Sequence, residues 1–436
     1  MNAPAAPSPD VRDTGEPFLI GQLGKLQASV KVSVGRKLGK GALGIVRELN
    51  VVGERPLFLG KSNFIIKSVI REPNYSMLVR EILVHLVASN MVQRDECDPQ
   101  IMCFRGVIVP RLSPDKLTGS EAFLNLVNPL LPRIGKDRVL ELMFVTDANI
   151  GPHPHMIYER VMGPTLHDLL YPDPESKRRP VNFRELGLSL LQAVKTLHDK
   201  NIVHRDIKPE NIMLQNDELK LIDLGLSCLL LEGKRNMACR VGEGTFQFIG
   251  PEAFESSPRY VKDDQPVSER LANFKQLDLF AIGATLYELL VQQSIHGTSF
   301  ELRDILAWLS PGEAGPRELV LVWQDDETRP FQELVTRMVR YDAAERPSLE
   351  EAIAAWTAAM ALPVPAPLAN APLASSSAPP SIVQAAAAAA AAATPPDEAS
   401  EAAKAEGGRR LRATRRPRTK KRRSRHRRTR HRKTWN

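Results

Sequence analysis

The run HRDIKPENIML, residues 204–214, places His, Arg, Asp, Lys, Glu and Asn within eight positions and then returns to apolar sequence. Just before it, LSLLQAVKTLHDKNIV (188–203) reads as a helix with Leu188, Leu191, Val194 and Leu197 on one stripe. Just after it, Ile212, Met213 and Leu214 lead to a turn at Gln215-Asn216-Asp217 and a second apolar run, LKLIDLGL (219–226). The polar cluster is therefore expected on a loop between a buried helix and a short hairpin. Solvated connections have that composition too, but such a loop is also where a rigid scaffold displays reactive groups.

Working outward, the chain has 436 residues, 43% hydrophobic and 25% charged, as in ordinary globular proteins. Its net charge of +8 is unevenly spread. Residues 409–436 hold 13 Arg and 3 Lys with no acid, leaving 43 basic against 51 acidic residues elsewhere, a net of −8. Four cysteines (97, 103, 228 and 239) show no C-x-x-C spacing and no disulfide density, so a reducing compartment without structural zinc is expected. The N-terminus has no basic segment followed by an apolar core, and Asn2 excludes myristoylation. No stretch approaches the roughly 20 apolar residues of a membrane helix. The expectation is a soluble, intracellular monomer with no membrane partner.

Composition shifts divide the chain. Residues 1–30 are expected to be flexible, and from 31 alternating runs such as VKVSVGRKLG and GIVRELNVV read as strands. YSMLVREILVHLVAS (75–89) switches to helical spacing. Residues about 110–154, with their prolines and the tract GPHPH, read as an insertion; His153 and His155 there are taken as part of a proline-bounded turn. Residues 162–360 are mostly helical, 361–408 form a Pro/Ala-rich linker expected to be disordered, and 409–436 a basic tail.

Three more clusters carry chemistry. KLGKGALGIV supplies Gly39, Gly41, Gly44 and Val46, a pattern that lets backbone amides approach phosphate closely. A strand-like segment follows these glycines, which argues against a dinucleotide fingerprint, where a helix must follow. Lys67 lies in the apolar run FIIKSVI and needs a counter-charge if buried; Glu81, 14 residues on, can supply it. Asp223 and Asn211 offer the hard oxygens that Mg²⁺ shares with phosphates and water.

In this order the motifs resemble a eukaryotic-type protein kinase of the Ser/Thr class over residues about 31–360. Gly250-Pro251-Glu252, Asp278-x-x-x-x-Gly283 and Arg346 extend the likeness. The resemblance implies an α+β bilobal fold: a small antiparallel β-sheet lobe with one helix (31–157), and a larger, mainly helical lobe (162–360). It implies ATP and Mg²⁺ as cofactors and protein Ser/Thr hydroxyls as substrates. Asp206 and Lys208 would be catalytic, and Asn211 and Asp223 would bind metal. Gly39, Gly41, Gly44, Val46, Lys67, Glu81, Glu159, Val161 and Met213 would bind nucleotide. Glu159 and Val161 would meet adenine in MIYERVMG, with Tyr158 at the gate behind it. Lys208 and Gly244-Thr245 are what place the resemblance in the Ser/Thr class.

Two departures stand out beside the conservative Leu224 and Gly250. Ile65 occupies the position of a small Ala over the adenine, where its bulk would crowd the pocket roof. Between Ser227 and Thr245 there is no Ser, Thr or Tyr, so Glu232 or Glu243 is expected to take the place of a phosphorylated residue opposite Arg205. The basic tail is expected to bind nucleic acid or an importin and to direct nuclear localisation. Thr414, Thr419, Ser424, Thr429 and Thr434 lie among its arginines as possible self-phosphorylation sites. The rival reading is a pseudokinase scaffold that tethers partners to nucleic acid through the tail. Ile65 favours it, whereas retention of Lys67, Glu81, Asp206, Asn211 and Asp223 favours the enzyme.

Overall fold

A computed structural model describes residues 16–22, 30–40, 44–52, 63–69, 75–88, 97–110, 143–148, 150, 154–173, 181–230, 243–253, 267–297, 302–309, 319–323 and 327–362. The linker and basic tail, and with them the expected tail sites, lie outside the described residues, as do Gly41, His153 and Glu232.

The first lobe is a curled sheet of seven strands: β1 (Phe18–Gln22), β2 (Val30–Lys40), β3 (Gly44–Val51), β4 (Phe64–Val69), β5 (Phe104–Pro110), β6 (Met143–Thr146) and β7 (His155–Glu159). Their order is β1-β2-β3-β4-β7-β5-β6, and β6 returns to β1, so the sheet closes into a barrel. Every pairing is antiparallel except β5 with β6. The inner faces alternate as strand geometry requires, with Ile20, Val32, Leu49, Phe64, Ile66, Ile108 and Ile157 buried together. Among the described residues this lobe has one helix, α1 (Tyr75–Ala88).

Three expectations change here. Strand β1 falls inside the segment 1–30 expected to be flexible. It is ordered because Phe18–Ile20 pair with Val30–Val32 and Gly21–Gln22 pair with Phe144–Val145. The insertion contributes β6 to the barrel, and His155, expected in a turn, begins β7 with its ring Nδ1 2.9 Å from Ser68 Oγ. Cys97 and Cys103 are joined by a disulfide with Cα atoms 5.7 Å apart, where the cysteine spacing had given no sign of one.

The second lobe is mainly helical: α2 (Leu166–Leu170), α3 (Phe183–Asp199), α4 (Val267–Val291), α5 (Leu302–Leu309), α6 (Arg329–Met338) and α7 (Leu349–Met360). Short strands β8 (Ile202–Val203), β9 (Ile212–Gln215), β10 (Glu218–Leu221) and β11 (Cys228–Leu229) carry the polar loops. Helix α3 starts at the Asn182 cap and buries Leu186, Leu190, Leu191, Val194 and Leu197. Its buried face is turned slightly from the expected stripe, with Leu188 at its edge. Helix α4 is apolar around most of its circumference because it runs through the lobe's centre, burying Phe274, Phe280, Ile282 and Leu286. Helix α7 opens on a Ser348/Glu351 capping box and seats Trp356 against Gly187, with Trp356 Nε1–H donating to the Arg184 carbonyl at 2.8 Å. Among the described residues no helix is long and apolar enough to cross a membrane.

Candidate active site

The loop 204–211 leaves β8 and enters β9 through a turn of 3-10 helix at Pro209–Asn211. Its shape is imposed from below by Asp278 on α4. One carboxylate oxygen accepts His204 N at 2.7 Å and lies 2.8 Å from His198 Nε2; the other accepts Arg205 N at 2.7 Å. Burial opposes the Asp278 charge, yet these donors more than offset it and hold its carboxyl below the usual range. The same bonds keep Arg205 at φ 69°, a left-handed conformation that costs a non-glycine residue about 1–3 kcal/mol unless its surroundings enforce it.

Asp206 stands at the loop's crest with three donors around its carboxylate. Thr245 Oγ1 donates to Oδ1 at 2.7 Å, and Asn211 Nδ2 donates to Oδ2 at 2.9 Å. Lys208 Nζ lies 3.0 Å from Oδ2 and donates to Thr245 Oγ1 at 2.7 Å. Thr245 thereby ties the segment beginning at Glu243 to the loop 204–211.

The hairpin of β9 and β10 delivers Asp223 opposite this cluster, at φ 55°. Lys67 on β4 reaches both Asp223 Oδ1 at 2.8 Å and Glu81 Oε1 on α1 at 2.7 Å. Burial alone would weaken the Lys67 ammonium, but the carboxylates of Glu81 and Asp223 outweigh it and raise its pKa. In turn Lys67 holds Asp223 down to about 2 against the effect of burial. Asn211 commits its amide hydrogens to Asp206, leaving its carbonyl oxygen, with the Asp223 carboxylate, for a hard cation. An amide oxygen and a carboxylate are donors that suit Mg²⁺.

The described residues that the resemblance assigns to nucleotide lie on β2, β3, β4, α1, β7 and β9 and just beyond β7. Gly39, next to last in β2, has open space where a Cβ would project. Gly44 begins β3, where a Cβ would meet the Ser68 carbonyl at 2.7 Å. Val46, Ile65 and Met213 are half-buried, and Ile65 is two residues from Lys67 on the same face of β4. Glu159 donates its N–H to the Cys103 carbonyl at 2.9 Å, and its carboxylate accepts from Arg105 Nη2 at 3.1 Å. Val161, just beyond β7, is buried. Thus Asp206, Lys208, Asn211, Asp223, Lys67 and Glu81 form one connected cluster, while Glu159, Val161 and Met213 line the connection between lobes.

Glu243, one of the two glutamates expected opposite Arg205, does face it, and two further groups, Arg80 and Tyr158, join the cluster without a recognisable sequence signal. Glu243 Oε2 lies 3.4 Å from Arg205 Nη2 and 3.7 Å from Arg80 Nη2 on α1, and Arg80 also donates to the Gly225 carbonyl at 3.4 Å. Tyr158 donates to Glu81 Oε1 at 3.1 Å. Arg80 reads as any surface residue of an amphipathic helix, and a tyrosine in a strand gives no hint of which acceptor it finds. Lower in the lobe, Arg346 forks onto Glu252 at 2.5 and 3.0 Å, closing the segment that contains Gly250-Pro251-Glu252.

This arrangement is a two-lobed α+β fold, a closed β lobe and a helical lobe with a charged cluster between them, and sequence comparison gives its family. The protein kinase domain profile matches residues 131–356, just over half the chain, and the chain belongs to that family. The match begins after β5, so the glycine loop, Lys67 and Glu81 stand on geometry. The phosphorylase b kinase gamma catalytic chain, liver/testis isoform, of Bos taurus is 27% identical over 279 residues, covering 59% of this chain and 64% of that protein. The serine/threonine-protein kinase PknB of Mycolicibacterium smegmatis is 31% identical over 143 residues (32% of this chain, 20% of the relative). A probable serine/threonine-protein kinase of Streptomyces coelicolor is 34% identical over 139 residues (31% and 18%). The chain thus spans less than two thirds of the length of these relatives.

Proposed function

We propose that this protein is a serine/threonine protein kinase that transfers the γ-phosphoryl group of ATP to protein hydroxyls. The observation that carries this reading is the Asp206–Lys208–Thr245–Asn211 network facing the Lys67–Glu81–Asp223 chain. A substrate hydroxyl brought to Asp206 gives up its proton to that carboxylate as its oxygen bonds phosphorus. The bond from the γ-phosphorus to the bridging oxygen breaks, and ADP leaves with the electron pair. Lys208 balances charge on the transferred group, and Lys67, aimed by Glu81, holds the α/β-phosphates. Backbone at Glu159 and Val161 takes the adenine, with Val46 and Met213 above and below it. Asn211 and Asp223 would hold Mg²⁺, which when bound neutralises charge on the phosphates. Catalysis would rest on positioning and electrostatics.

Glu243 gives this reading a regulatory side. Its carboxylate joins α1 to the catalytic loop through Arg80 and Arg205, where a phosphorylated residue would otherwise serve. The kinase would then be assembled without loop phosphorylation. Ile65 supports the rival scaffold reading, in that a branched side chain at the pocket roof lowers nucleotide affinity. The basic tail, carrying 16 of the chain's Lys and Arg, would engage nucleic acid or an importin and place the enzyme in the nucleus.

Radiolabelled phosphate transfer from ATP with Mg²⁺ to a generic basic protein, and to the chain itself, tests the assignment. Asp206→Asn should lower incorporation by about 10²–10⁴-fold. Equal incorporation by wild type and variant, or none by folded wild type, would turn the assignment toward the scaffold.

A further inference from the structure

Tyr158 is buried in β7, one residue before the strand ends, with its ring edge-on to His85 of α1 at 4.7 Å and to Phe104 of β5 at 5.6 Å. Its hydroxyl meets two atoms, the Met156 sulfur at 3.1 Å and Glu81 Oε1 at 3.1 Å. That oxygen also accepts Lys67 Nζ. Burial first, and the Glu81 charge second, raise the phenol's pKa, so the hydroxyl remains a donor at any working pH. A buried tyrosine hydroxyl needs a partner, and thioether sulfur is a weak one. Phenylalanine would fill the same volume without that need. The hydroxyl therefore links the strand entering the interlobe connection to Glu81, one of the two carboxylates that pair with Lys67.

Building on the kinase reading, we propose that Tyr158 is a positioning residue: its hydroxyl latches Glu81, and with it helix α1, in the orientation that presents Glu81 to Lys67. Glu81 is held from two sides, by Lys67 on β4 and by Tyr158 on the neighbouring β7. Rotation of α1 away from the sheet must break both bonds.

The test compares wild type, Tyr158→Phe, Glu81→Gln and the double variant in the full chain. A hydrogen bond to a charged acceptor is worth enough that Tyr158→Phe should lower kcat about tenfold. KM for ATP should stay within twofold and the melting temperature within a few degrees. Amide exchange across residues 80–88 should speed up about tenfold, reporting freer opening of α1. In the Glu81→Gln background the added Tyr158→Phe change should accelerate exchange less than twofold, since the acceptor charge is already gone. Exchange and kcat within twofold of wild type in Tyr158→Phe would overturn the latch. So would equal acceleration in both backgrounds, which would trace the effect to ring packing. If folded wild type transfers no phosphate, the kinase assignment falls, but the exchange comparison still decides the latch.

Discussion

Replacing Glu243 with glutamine keeps the side chain's shape and removes the charge that two guanidinium groups share. Arg205 and Arg80 expose 2% and 4% of their side chains, whereas Glu243 exposes 21%. Burial lowers the Arg205 pKa to about 10, offset in part by Glu243, and the guanidinium remains charged at neutral pH. At 3.4 and 3.7 Å each pair attracts by about 4–5 kcal/mol at an effective dielectric near 20, before desolvation is counted. Removing one member of a fully buried pair costs about 3–5 kcal/mol. Water at Glu243 and the remaining Gln dipole reduce this to about 2 kcal/mol, or roughly 30-fold in the assembled population. Initial phosphorylation rates on a basic protein substrate should fall by that factor in Glu243→Gln. Wild type treated with phosphatase should retain its rate. A variant within twofold of wild type, or a wild type silenced by phosphatase through a site in 227–245, would refute the bridge.

Ile65→Ala should tighten ATP binding by up to about tenfold in a fluorescent-nucleotide titration, since overpacking of about 1–3 kcal/mol is relieved at the roof; weaker binding would mean that Ile65 packs on the adenine to advantage. At Gly187 a Cβ would fall 2.1 Å from Trp356, so Gly187→Ala should lower stability by about 1–3 kcal/mol in a denaturant melt and leave KM for ATP unchanged. His85 is buried neutral, with burial and then the Lys67 charge pushing its pKa down to about 3. The unfolded chain, with a His pKa of about 6.5, takes the proton first. The associated stability is therefore complete above pH 6.5 and is lost as pH falls toward 3, by about 2 kcal/mol at pH 5. His85→Leu should flatten the pH 7-to-5 stability slope by that amount, and an unchanged slope would assign it to other groups.

The site was legible where the sequence interrupts apolar runs with charge. Asp206, Asn211 and Asp223 lie in or beside such runs, so their loops and the elements around them were readable locally. Lys67 and Glu81 were legible as a pair because a buried ammonium demands a counter-charge. What the sequence hides is non-local. Five residues of FLIGQ have no period long enough to mark a strand, and β1 exists because residues more than a hundred positions away pair with it. The disulfide between Cys97 and Cys103 is likewise a product of where β5 begins, and a spacing of six carries no signature. Arg80 and Tyr158 acquire their meaning from which atoms the fold brings near them, the Glu243 and Glu81 carboxylates respectively.

The closure of the barrel has a practical corollary. With β1 seated between β2 and β6, and Thr146 Oγ1 fastened to the Leu19 carbonyl at 2.7 Å, the small lobe presents no raw seam along its sheet. A fragment cut at residue 31, where the resemblance begins, would strip β1 away and leave two rows of unpaired amides and carbonyls, one on β2 and one on β6. Such rows invite a strand from any neighbouring chain. Strand β1 is therefore a solubility element of the lobe, and removing it should favour association of one copy with another, which sedimentation of the trimmed chain would read.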